Sequence, residues 1–96
     1  MNKQVTIKEI EQAAAKVWEV PEDTLYLKRR YREMVEPRQA IFHYRRTQLN
    51  HKPSRIERET GFDHATVNHA VKTVDNLRST DAHFKRQYEQ FLNALG

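Results

Sequence analysis

The chain has 96 residues, 38% of them hydrophobic, with 17 Lys/Arg against 13 Asp/Glu, no cysteine and only two glycines. That length suits a single domain, 1–96, around one thin core, and the missing cysteines exclude disulfides and thiolate metal sites. No apolar run approaches the roughly 20 residues of a membrane span, and Met1-Asn2-Lys3-Gln4 lacks the hydrophobic segment of a signal peptide, so a cytoplasmic protein away from membranes is expected.

Thr6-Ile7-Lys8-Glu9 fits a capping box, and Ile7, Ile10, Ala14, Val17 and Trp18 follow at helical spacing, predicting a first helix over 7–18. Pro21 closes the connection, and Asp23 is placed to cap a short helical turn holding Leu25, Tyr26 and Leu27. Lys28–Arg32 has no apolar period and reads as an exposed basic loop. Pro37 suits the first turn of a helix, and Ala40, Ile41, Tyr44 and Leu49 outline that helix over roughly 35–49, with Arg38, Arg45 and Arg46 on its other faces. Asn50–Pro53 breaks it. A short helix over 54–60 then surrounds Ile56 and ends at Gly61, a residue that tolerates the left-handed conformation of a helix terminus.

Asp63 is a good N-cap for the next helix, where Val67, Ala70, Val71, Val74 and Leu77 form one apolar stripe ending near Arg78-Ser79. Asp81 caps the last, whose buried side is Phe84, Tyr88, Phe91, Leu92 and Leu95. The expectation is an all-α fold of about six helices, with Trp18, Phe84, Phe91 and Tyr44 in the core. Tyr26 and Phe42 could fall on either side of the boundary.

Charge is unevenly placed along these elements. Residues 28–58 hold ten Lys/Arg and three acids, +7 in total, and the remainder sums to −3. A basic third on a slightly acidic body is what a polyanion-binding face looks like in sequence. The order short helix, glycine turn, longer helix over 54–60, 61–62 and 63–78 is that of a helix-turn-helix, which lays its second helix in the DNA major groove. His64, Ala65 and Thr66 lie on the outward side of that helix's first turn. A His ring can donate or accept at base edges, and an Ala or Thr methyl can touch a thymine methyl.

The string Gly61-Phe62-Asp63-His64-Ala65-Thr66-Val67-Asn68-His69-Ala70 resembles the signature of the C-terminal DNA-binding domain family of the bacterial replication initiator DnaA, G-G-R-D-H-T-T-V-x-H-A. Leu27-Lys28-Arg29-Arg30 and Pro37-Arg38-Gln39-Ala40 are similar to that family's basic loop and P-R-Q helix start, and the resemblance covers roughly residues 6–92. It implies a Trp-repressor-like helix-turn-helix fold and sequence-specific binding of double-stranded DNA in replication initiation or its regulation. By position, it implies base contacts from Arg30 in the minor groove and from Asp63, His64, Ala65 and Thr66 in the major groove. It implies phosphate contacts from Lys28, Arg29, Arg32, Arg38, Gln39, Arg46, Lys52 and Ser54. Two departures bear on the DNA sequence recognised. The G-G-R turn is one residue shorter here, with Phe62 and no arginine, and Ala65 replaces a threonine.

The chain carries no G-x-x-x-x-G-K-[ST] loop, so a free-standing module without nucleotide or other cofactor is expected, bacterial or phage-encoded and nucleoid-associated. Catalysis is not expected. His64 and His69 lie five apart, about 140° around a helix, and suit no metal site, and no nucleophile–base grouping stands out. Two alternatives use the same fold. In one the basic face binds an acidic replication or regulatory protein, and convergence of the basic residues on one face would favour DNA over it. In the other the ligand is RNA, but no aromatic platform lies beside the basic residues. A monomer is expected.

Overall fold

The structure, a computed structural model, describes residues 4–28 and 31–96. Among these it contains five α-helices and a short 3₁₀ turn, with no strand. The helices are α1 (Ile7–Trp18), α2 (Arg32–Thr47), α3 (Pro53–Thr60), α4 (His64–Thr80) and α5 (Ala82–Ala94), and the 3₁₀ turn is Glu22–Thr24.

Local chemistry sets most boundaries. Thr6 Oγ1 accepts from the Glu9 N–H at 3.1 Å while the Thr6 N–H donates to Glu9 Oε1, so the capping box forms. Asp63 and Asp81 cap α4 and α5 through Thr66 N–H (2.8 Å) and Phe84 N–H (3.1 Å). Gly61 ends α3 at φ 83° and returns its N–H to Glu57 O at 2.7 Å.

Two boundaries differ by more than two residues from the sequence reading. The turn after Pro21 comes earlier than 25–27, and Asp23 lies inside it while Thr24 Oγ1 bonds Pro21 O at 2.6 Å. The second helix starts at Arg32, so Pro37 is its sixth residue, deeper than a first-turn proline. The ring removes one intrahelical bond there. Arg32 joins Glu36 (2.7 Å) on the same helix to Asp81 (2.8 Å) at the start of α5.

α2 is the central element, packed on both α1 and α4, while α5 closes against α1 and α4 and α3 rests on α4. One aromatic group fills the junction of α1, α2 and α5, with Trp18 at 5.9 Å from both Phe84 and Phe91 and Tyr44 edge-on to Phe91 at 5.7 Å. A second joins Tyr26, Phe42 and Phe62, the Phe42–Phe62 pair meeting edge-on at 5.6 Å. Phe42 is therefore core and Tyr26 half-buried against it. Val67, Ala70 and Val74 form the buried stripe of α4, Leu77 packs at its edge, and Val71 is only half-buried.

Polar groups also enter the interior. His43 is 3% exposed and bridges Tyr88 Oη (2.6 Å) and Asp75 Oδ1 (2.7 Å), tying α2 to α4 and α5. Arg45, expected on an outer face, is fully buried. Its Nε donates to His51 Nδ1 at 3.0 Å and its Nη2 to Glu59, which fastens α3 to α2.

Candidate nucleic-acid interface

The turn between α3 and α4 carries the site. With Gly61 in the left-handed region and Phe62 buried beneath it, the chain enters α4 with His64, Ala65 and Thr66 all exposed. Asp63 caps the helix, so Oδ1 is engaged by the Thr66 N–H. Hydrogen bonds from Thr66 hold the Asp63 carboxyl below the usual carboxylate range, and His64 and Lys28 add to the effect. His64 Nε2 stands 3.0 Å from Glu57 Oε1 on α3. The first turn of α4 also presents unpaired N–H groups and the positive end of the helix dipole.

The base of the basic loop is fastened to this turn. Lys28 Nζ donates to Gly61 O at 3.0 Å and lies 5.4 Å from the Phe62 ring centroid. Arg38 covers the same ring at 4.4 Å and donates to Leu27 O at 2.8 Å. Phe62, in the place where the resembled pattern has an arginine, is thus the platform on which loop and turn meet. Arg29 and Arg30, expected at phosphate and minor groove, lie outside the described residues.

Arg46, Lys52 and Ser54 gather at the other end of α3, a helix about 12 Å long. Arg46 Nη1 donates to His51 O at 3.2 Å, while Lys52 and Ser54 are exposed at the start of α3, whose first turn has no side-chain cap. Burial and the neighbouring Arg45 and Arg55 push the His51 imidazole below its ordinary value.

Three of the expected contacts are placed differently. Arg38 is 7% exposed, and its guanidinium is committed to Leu27 O and Phe62, so it supports the loop from inside. Burial works against its charge. Arg32 spends two donors on Glu36 and Asp81, and Gln39 lines an open cleft of about 800 Å³ with Arg32, Leu77, Thr80 and Asp81. That cleft lies at the C-terminal end of α4, about 25 Å along the helix from Asp63. The structure therefore brings Lys28, Asp63, His64, Ala65 and Thr66 together at one end of α3 and Arg46, Lys52 and Ser54 at the other. Arg32 and Gln39 stand apart from both.

Sequence reasoning did not single out Glu57 or the Arg45–His51–Glu59 cluster, and it noted Phe62 only as a departure from the resembled pattern, not as a buried platform. An aromatic immediately after a helix-ending glycine was the available signal for Phe62. The ion pairs have none, because their partners are distant along the chain.

Residues 7–74 match the family model described as the bacterial dnaA protein helix-turn-helix. The chain is 33% identical over 96 residues to the chromosomal replication initiator protein DnaA of Chromobacterium violaceum, covering 98% of this chain and 20% of that protein. It is likewise 33% identical over 91 residues to the protein of that name from Wolbachia sp. subsp. Brugia malayi, covering 93% of this chain and 20% of the relative. The chain spans about a fifth of the length of the curated relatives it matches. The helix-turn-helix geometry around Gly61 and the match over 7–74 agree, and the chain belongs to the bacterial DnaA helix-turn-helix family.

Proposed function

We propose that this chain binds double-stranded DNA sequence-specifically, in replication initiation or its regulation, with the start of α4 in the major groove and the basic stretch Lys28–Arg32 supplying the adjacent minor-groove contact. The observation that carries this reading is the exposed His64-Ala65-Thr66 turn with the base of the basic loop fastened beside it by Lys28. His64 and Thr66 read base edges, Asp63 sets the helix start and faces the groove, and the Ala65 methyl favours a thymine beneath it. Arg30 is the minor-groove residue, where a narrow A·T-rich groove attracts arginine. Lys28, Arg29, Arg46, Lys52 and Ser54 hold phosphates, helped by the uncapped N–H groups of α3. Arg32 and Gln39 reach the backbone only if the duplex extends toward the far end of α4. Replication or regulatory proteins are further partners under this reading.

The test begins with a selection from random duplex DNA, which should return a defined site. Titrations on that site at several salt concentrations follow. Arg46→Ala and Lys52→Ala should each weaken binding to all duplexes and reduce the slope of log affinity against log salt by about one. A selection that returns no preferred sequence, or slopes that do not change, would overturn the assignment.

A further inference from the structure

We propose that Asn68 is a specificity-determining residue that reads an adenine one turn beyond the start of α4. This rests on the DNA-reading assignment above and extends it past the first turn of the helix. Val67, Ala70 and Val74 are buried and Val71 and Leu77 half-buried, which fixes the inward side of α4. The opposite side is Ala65, Asn68, His69 and Lys72, all exposed, at i, i+3, i+4 and i+7. A recognition helix in the major groove can meet bases at this same spacing. From Ala65 to Asn68 the helix rises about 4.5 Å, somewhat more than one base-pair step of about 3.4 Å.

Asn68 stands out among the polar side chains of this helix. Asp63 is engaged by the Thr66 N–H and Asp75 by His43, while Ser79 and Thr80 bond Asn76 O at 2.9 and 2.8 Å. The Asn68 amide has no hydrogen-bond partner among the described residues. Asparagine is a poor helix former, and here no bond within the protein offsets that. Its amide carries a donor and an acceptor side by side, the pattern that matches N7 and the exocyclic amine of adenine in the major groove. Lys72 on the same side is a point charge suited to phosphate, and Ala65 offers only a methyl. Asn76 stands two turns further on, about 12 Å past Asn68 and away from the N-terminal part that meets base edges. Where Ala65 gives up the hydroxyl of the resembled pattern's threonine, Asn68 supplies polar base recognition at a position that pattern leaves open.

The experiment runs the same selection from random duplex DNA on wild type and Asn68→Ala, followed by titrations on the wild-type site. Alanine is the better helix former and the position is exposed, so the variant should melt no lower than wild type. Its selection should lose the preference for adenine at one base pair and keep every other position. Affinity for the wild-type site should fall about 5- to 150-fold, with scrambled duplex and the salt slope unchanged. Replacing that adenine by 7-deazaadenine, which lacks the N7 acceptor, should weaken wild type and leave Asn68→Ala unaffected. A defined site that Asn68→Ala selects unchanged would overturn the role of Asn68 alone, as would a lost preference at a pair without adenine. A wild type that selects no sequence would instead refute the DNA reading beneath it.

Discussion

Phe62 lies under the helix-turn-helix turn, and replacing it by alanine tests whether the turn rests on a packed ring. The side chain is 7% exposed, meets Phe42 edge-on at 5.6 Å and is covered by Arg38 at 4.4 Å. Truncating a buried phenylalanine costs about 3–5 kcal/mol through lost transfer free energy and the cavity left behind. The aromatic pair contributes about 0.5–1.5 kcal/mol of that. A domain of this size shifts its Tm by about 4–8 °C per kcal/mol, so Phe62→Ala should melt at least about 12 °C lower in circular dichroism. Phe62→Leu keeps most of the apolar volume and should lose less than half as much. If Phe62→Ala melts within about 3 °C of wild type, Phe62 is not packed as described, and the fastening of Lys28 and Arg38 to the turn loses its basis.

The stripe of α4 gives a graded comparison. Val74 is fully buried and Val71 half-buried, so Val74→Ala should cost about 1–3 kcal/mol in chemical denaturation and Val71→Ala clearly less. The acid side of the stability profile tests the α5 cap. The Phe84 N–H, with Arg32 adding to it, holds the Asp81 carboxyl below its ordinary value. A carboxyl depressed in the folded state stabilises the fold above its unfolded pKa, and that contribution disappears as pH falls through the folded pKa. Asp81→Asn should therefore lower Tm at neutral pH and flatten its decline in acid, and an equally steep decline would refute the cap's role.

Much of this fold was legible in the sequence because its signals are local. The capping box at Thr6, the caps at Asp63 and Asp81, and Gly61 each act within four residues, and the helices they bound follow the expected apolar spacing. The start of α2 was not legible, since Pro37 resembles a first-turn proline, and the helix begins at Arg32, three residues before the expected 35, where Arg32 pairs with Glu36 and Asp81. The same limit applied to the basic residues. Counting charges along 28–58 treats all ten alike, yet Arg45 is buried beside Glu59 and His51, and Arg38 beneath the loop. Only contacts across the fold separate such supporting arginines from basic residues that stay exposed, such as Lys52. The exposed turn at His64 was legible because the inward stripe fixes the outward face.

The central claim is that the first turn of α4 reads bases, and one competition titration addresses it most directly. Wild type, His64→Ala and Thr66→Ala are each measured against the selected site and a scrambled duplex at one salt concentration. Both variants should lose about 1–3 kcal/mol on the selected site, roughly 5- to 150-fold in affinity, with scrambled duplex nearly unaffected. Equal losses on both duplexes, or none on either, would contradict base reading by this turn and would favour an acidic protein as the partner of the basic face.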